Sequence, residues 1–186
     1  VVFKIVVIGA SLGGFTALKE ILGNLPKSLK SPIVVAQHRH RESYSTLSEF
    51  LQKHTSLQVR EVEDKDEIVP GYVYLAPADY HLLVECGFFA LSTDEPISYA
   101  RPSIDVLFES AADIYGEQVI GVILTGANED GVQGLKAIKS RLGMAIVQDP
   151  TTAECSVMPK AAINAVAVDW ILSPKEIGQK IVYLCN

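Results

Sequence analysis

A chain of 186 residues that is 48% hydrophobic and 20% charged has enough apolar material for one substantial core, too little length for two comfortable domains, and the wrong composition for disorder. Its formal net charge of −6 argues against nucleic acid as the main partner, since neutralising phosphates needs a basic surface, and only His38-Arg39-His40-Arg41 forms a local basic cluster. The cysteines Cys86, Cys155 and Cys185 are odd in number, far apart and without a C-x-x-C, which argues against a disulfide framework or a zinc site and makes a reducing, cytoplasmic setting the default expectation; no apolar run is long enough to cross a membrane, and the N-terminal stretch lacks the basic region and cleavage site of a signal peptide.

The elements follow in chain order. Phe3–Ile8 is an apolar run of strand length, and Phe15–Leu25 carries helical spacing. Pro32–Ala36 and Tyr44–His54 repeat the strand–helix pair. The middle differs: Leu57–Val62, Tyr72–Ala76, His81–Glu85 and Phe88–Ser92 read as short strands, with Glu85-Cys86-Gly87 as a hairpin turn between the last two. An inserted antiparallel element is therefore expected, and the acidic stretch Glu61–Glu67 reads as a solvated face or loop. Val119–Leu124 is a third clear strand, followed by a helix over Gly131–Leu142 and a short strand over Ala145–Val147. Ala167–Ile171 is the last strand, and Pro174–Tyr183 closes the chain as a helix with proline at its start. Continuous Val/Ile runs alternating with helices predict a single α/β domain over residues 1–186. Its expected form is a modified doubly wound, mainly parallel sheet with helices on both faces and an antiparallel hairpin. The chain opens on Val1 rather than Met, as a piece of a longer protein would.

The turn after the first strand, Gly9-Ala10-Ser11-Leu12-Gly13-Gly14, has three readings. A dinucleotide loop would need glycine where Ser11 stands, because the backbone must approach the pyrophosphate there. A nucleophile turn of the form G-x-S-x-G would expose the Ser11 hydroxyl between strand and helix. A plain βα turn also favours Gly and Ser, with the serine as a helix cap. In parallel sheets, function gathers beyond the carboxyl ends of the strands. Strand one ends at Ser11, strand two at Gln37-His38, and the strand before Thr125 in a loop carrying Asp130. A serine, a histidine and a carboxylate are the parts for acyl transfer: nucleophile, base, and the group that fixes the imidazole tautomer. Each role has competitors. His40 ranks second as base, His81 is placed in the hairpin where it could line the cleft, and His54 sits at a helix end as a cap. Glu129 should diverge from Asp130, and Asp149, also at a strand end, is the alternative carboxylate.

Several ordered motifs then resemble the catalytic domain of the CheB-type chemotaxis protein-glutamate methylesterases over nearly the whole chain. They are Ile8-Gly9-Ala10-Ser11-Leu12-Gly13-Gly14, Gln37-His38-Arg39, Ala76-Pro77 through His81-Leu82, and Arg101-Pro102-Ser103-Ile104-Asp105 through Phe108. Gly121–Gly131, Gln148-Asp149 and Met158-Pro159 complete the set. The resemblance implies a serine hydrolase that removes γ-methyl groups from glutamates on chemoreceptor cytoplasmic helices as methanol, and in some members deamidates receptor glutamines. It implies Ser11 as nucleophile, His38 as base, Asp130 as its carboxylate, and the backbone N–H groups of Leu12 and Ala127 as oxyanion donors. It implies no cofactor, no metal and no direct membrane insertion. The implied partners are a methylated chemoreceptor and, in full-length members, an N-terminal phosphoryl-receiver domain, a two-component signalling module that is not among these residues. Leu12, Arg39, Ala127 and Asn128 depart from the family pattern of Thr, Met, Met and Gly. Those departures motivate the alternatives, a catalytically weakened receptor-docking or signalling module of the same fold and, from another class, a nucleotide-binding module built on Gly9–Gly14.

Overall fold

The structure is a computed structural model that describes residues 1–38, 46–97 and 99–186, with Thr46 described by its backbone alone. Seven parallel strands form one sheet in the order β3-β4-β2-β1-β7-β8-β9, and β5 and β6 form a separate antiparallel hairpin. The strands are β1 (Ile5–Ala10), β2 (Ile33–Gln37), β3 (Gln58–Glu61), β4 (Tyr72–Leu75), β5 (His81–Val84), β6 (Phe89–Ser92), β7 (Val119–Ile123), β8 (Met144–Gln148) and β9 (Trp170–Leu172). The helices are α1 (Gly14–Gly23), α2 (Thr46–Gln52), α3 (Ile104–Tyr115), α4 (Val132–Ser140), α5 (Val157–Ala165) and α6 (Pro174–Cys185).

The continuous apolar runs have a direct cause. Along β1, Ile5 and Val7 enter one core while Val6, Ile8 and Ala10 enter the other. The first core joins the sheet to α3, α4, α5 and the hairpin through Ile104, Leu107, Phe108, Leu135, Met158 and Phe89. The second joins it to α1, α2 and α6 through Leu18, Ile21, Leu47, Leu51, Ile177 and Ile181. A strand buried on both faces has no polar side to alternate with. Gly9 lies on the α3 side of β1, and a Cβ built there would stand 2.3 Å from Ile104 Cγ2. The missing side chain is what lets the start of α3 close onto the end of β1.

Two expectations change. Leu57–Val62 and Tyr72–Ala76 do not belong to an antiparallel element: β3 and β4 pair in parallel and complete one edge of the main sheet. The antiparallel part is the β5–β6 hairpin alone, turning at 85–87 as expected. Helices α3 and α5 also stand at 104–115 and 157–165, where the sequence pattern predicts none. α3 carries its own signal, a Ser103 side chain that accepts from Val106 N and a buried face at Ile104, Leu107, Phe108 and Ala111. The acidic stretch is mostly exposed, with Val62 its buried member.

Candidate active site

The strand order places the three candidate ends side by side. β1 lies between β2 and β7, with Ala10 opposite Gln37 and Gly9 opposite Ile123. The chain leaves β1 for β2 on one side and leaves β7 for β8 on the other, so the direction of winding switches between β1 and β7 and their carboxyl ends form the crevice of this fold. Beyond the last strand residues, Ser11 N donates to Thr125 O at 3.0 Å and His38 N donates to Ala10 O at 3.0 Å. Gln37 ties the two loops together: its Nε2 donates to Ser11 O at 2.8 Å and to His38 O at 2.9 Å. Thr125 Oγ1 donates to Leu12 O at 2.8 Å, and Gly126 has so little room that a Cβ there would lie 3.0 Å from Ser11 Cβ. Ser11 is therefore held against the loop after β7 by main-chain and amide contacts.

Ser11 does not cap α1. The N-cap residue is Gly13, in the left-handed region at φ 81°, with no side-chain cap bond. Among the described residues, no hydrogen bond is made by the Ser11 hydroxyl or by the backbone N–H of Leu12 or Ala127. The nucleotide reading fares poorly on the same geometry. A Cβ at Gly14 would fall 1.9 Å from Gln37 Oε1, and one at Gly13 would fall 2.9 Å from a carboxylate oxygen of Glu154. An amide oxygen and a carboxylate thus stand against the two glycines of the turn, acceptors that would repel a phosphate rather than hold one.

His38 and Asp130 meet. His38 Nε2 lies 2.7 Å from Asp130 Oδ2, with the carboxylate almost fully buried. Three further donors converge on that carboxylate: Ile104 N on Oδ2 at 2.6 Å, and Ser103 Oγ and Asp105 N on Oδ1 at 2.9 and 3.0 Å. The start of α3 thus forms a nest around Asp130. Burial pushes the Asp130 carboxyl up, but the bonds from His38 and from the Asp105 and Ile104 N–H groups outweigh it and hold it below the ordinary carboxylate value. The other ring nitrogen, His38 Nδ1, lies 3.0 Å from Asn128 Nδ2 rather than in a bond to Ser11.

The competitors take other roles. His81 is buried, accepts from Ser103 N at Nδ1 (3.2 Å) and donates from Nε2 to Glu95 O (3.1 Å), so it stands behind the Asp130 nest instead of lining the cleft. His54 stacks edge-on against Phe50 at 5.0 Å and makes no side-chain cap. Asp149 is held below its ordinary value by the N–H and hydroxyl of Thr151, in a surface turn apart from His38. Glu129 is exposed where Asp130 is buried, as expected. His40, Arg39 and Arg41 lie outside the described residues. Sequence reasoning missed Ser103, Asp105 and the N–H of Ile104 as the holders of Asp130, and Gln37 as the link between the loops.

The model of the CheB methylesterase family matches residues 6–181. The chain belongs to the CheB methylesterase family. It is 47% identical over 183 residues to the putative protein-glutamate methylesterase/protein-glutamine glutaminase of Leptospira interrogans, covering 98% of this chain and 95% of that protein. It is 39% identical over 185 residues to the protein-glutamate methylesterase/protein-glutamine glutaminase of Thermotoga maritima, covering 97% of this chain and 54% of that longer protein. The crystal structure of the Thermotoga maritima CheB methylesterase catalytic domain superposes with a TM-score of 0.95 at 39% identity, covering 99% of this chain and all of that one. The mainly parallel sheet with its hairpin is thus the CheB catalytic-domain fold. Among the described residues, no helix is long and apolar enough to cross a membrane.

Proposed function

We propose that this CheB domain hydrolyses glutamate γ-methyl esters on the cytoplasmic helices of chemoreceptors, releasing methanol, and that it works as a serine hydrolase with Ser11, His38 and Asp130. The observation that carries this reading is the 2.7 Å contact of His38 with a buried carboxylate held by four donors, at the strand end next to Ser11.

In this reading Asp130 holds the Nε2–H of the ring, which leaves Nδ1 to act as the base. Ser11 Oγ attacks the ester carbonyl and its proton passes to Nδ1. The oxyanion forms against the free N–H groups of Leu12 and Ala127, at the open start of α1. Collapse breaks the bond to methoxide, which takes the Nδ1 proton and leaves as methanol. Water then gives a proton to Nδ1 as it attacks the acyl-enzyme, and collapse returns the Ser11 hydroxyl and a free glutamate. The same steps on a glutamine side chain release ammonia, in keeping with the second activity in the relatives' names. No step calls for a metal or cofactor. The departures at Leu12 and Ala127 change side chains that are exposed, while the donors assigned to them are main-chain. A phosphoryl-receiver domain upstream, acting on this site in the cytoplasm, fits the chain spanning about half of the Thermotoga relative.

The test is methanol release from a methylated receptor fragment by wild type and Ser11→Ala side by side. Release by wild type and none by the folded variant is expected. Undiminished release by Ser11→Ala would overturn the assignment of the nucleophile.

A further inference from the structure

We propose that Asn128 is a positioning residue for the base, fixing the tautomer of His38 and capping its Nδ1 lone pair until the Ser11 proton arrives. This rests on the role given to His38 above.

The orientation of the Asn128 amide follows from its neighbours. Asp130 N–H can only donate, and it meets Asn128 Oδ1 at 3.0 Å. The other end of the amide is then the NH2 group, and it lies 3.0 Å from His38 Nδ1. An amide nitrogen has no lone pair to offer, so Nδ1 must be the unprotonated acceptor. The proton sits on Nε2, where Asp130 Oδ2 accepts it at 2.7 Å. Both contacts therefore favour one tautomer, and both ring nitrogens are taken. The lone pair that Ser11 needs is occupied by Asn128, and the hydroxyl of Ser11 has no hydrogen-bond partner among the described residues.

Asn128 occupies a position where the family pattern has glycine, yet its backbone is not in the left-handed region. The residue is thus free of the strain that would demand glycine, and its amide is the feature to explain. One side chain performs both tasks because Asn128 closes a two-residue turn onto Asp130 N, which aims its NH2 group at the ring that Asp130 holds. Transfer of the Ser11 proton requires this bond to break. A hydrogen bond of ordinary net strength slows that step by about threefold to tenfold.

The experiment has two arms. In the wild-type domain labelled with 15N, His38 is expected to show a protonated Nε2, an unprotonated Nδ1, and a through-hydrogen-bond coupling from the Asn128 amide. A proton on Nδ1, or no coupling, overturns the proposal whether or not the enzyme turns over. In the second arm, covalent labelling of Ser11 by a fluorophosphonate is timed. Asn128→Ala is expected to label about threefold to tenfold faster. Asn128→Asp keeps an acceptor for Asp130 N–H but offers Nδ1 only an acceptor, and is expected to move a proton onto His38 Nδ1 in the nitrogen spectra. An Asn128→Ala protein that is folded and labels at or below the wild-type rate overturns the cap, as does an Asn128→Asp protein that behaves as wild type. If wild type does not label at Ser11 at all, the hydrolase reading fails while the nitrogen signals still decide the role of Asn128.

Discussion

Replacing Asp130 with asparagine tests the site where its electrostatics are most constrained. The carboxylate accepts four hydrogen bonds, two at each oxygen, and asparagine supplies an acceptor at only one of those places. If the NH2 group takes the Oδ1 place, the Asp105 N–H loses its acceptor. If it takes the Oδ2 place, the Ile104 N–H loses its acceptor and His38 must move its proton to Nδ1, against the Asn128 NH2 group. Either way one buried backbone donor is stranded, at a cost of about 1–3 kcal/mol in stability. That loss is survivable for a domain of ordinary stability, about 5–15 kcal/mol. The catalytic loss is larger. Removing the charge and disturbing the tautomer costs ~10⁴ in rate in a well-studied serine protease, about 5 kcal/mol of transition-state stabilisation. The assay is methanol release together with fluorophosphonate labelling of Ser11, on protein shown by thermal melting to be folded at the assay temperature. A folded Asp130→Asn enzyme within tenfold of wild type would refute the role given to this carboxylate.

Two further substitutions probe the frame around it. Burial, aided by the backbone-held charge of Asp130 nearby, raises the Asp105 carboxyl from 3.8 to about 6, so its contribution to stability is full below about pH 4 and is lost as pH rises through 6. Asp105→Asn keeps an acceptor for Gly131 N and Gly134 N without the charge, and should gain about 1–2 kcal/mol relative to wild type at pH 8 but not at pH 4 once partial solvation is allowed for. A difference in Tm between the two proteins that stays flat across that range would count against a charged Asp105 as the cause. Gly9→Ala places a methyl 2.3 Å from Ile104 Cγ2 and should destabilise by about 1–3 kcal/mol through overpacking. The double variant Gly9→Ala/Ile104→Ala should be more stable than the sum of the two single losses, and simple additivity in urea melts would show that the clash is absorbed elsewhere.

What was legible in the sequence is what local rules control. Continuous Val/Ile runs announced strands buried on both faces, and reading the residues after each strand led to Ser11, His38 and Asp130 together. That step assumed that the strands ending in these residues are neighbours, and the order β2-β1-β7 supplies the missing link. The sheet edge was harder. β3 and β4 are short, and a parallel pair joined without a helix, as here through 62–71, gives no periodic signal between its strands. The holders of Asp130 were hidden for another reason. Ser103, Ile104 and Asp105 reach it from 25 to 27 residues away, and only the packing of α3 onto the end of β1 brings them there. Ser103 did advertise a helix start, but a cap whose hydroxyl also serves a carboxylate looks the same in sequence as one that does not.

The departures from the family pattern divide by what each residue contributes to the site. Leu12 is 55% exposed and Ala127 is exposed, so their side chains face outward at the rim of the crevice. The parts of them nearest the proposed chemistry are backbone groups that any residue would supply in this conformation. In the proposed reaction, changes there alter what an incoming substrate meets rather than how a bond is broken. Asn128 is different, because its side chain and not its backbone enters the site, and it reaches His38 Nδ1, the atom to which the proposed mechanism gives the Ser11 proton. Its influence could not be judged from backbone demands alone, since the left-handed conformation that would have made glycine necessary is absent. A residue that looks like a tolerated glycine replacement in the sequence is, in the folded protein, bonded to the ring of His38, the proposed base. For that reason the difference between this chain and a member with glycine at the same place should be sought first in the acylation step, and only then in receptor binding.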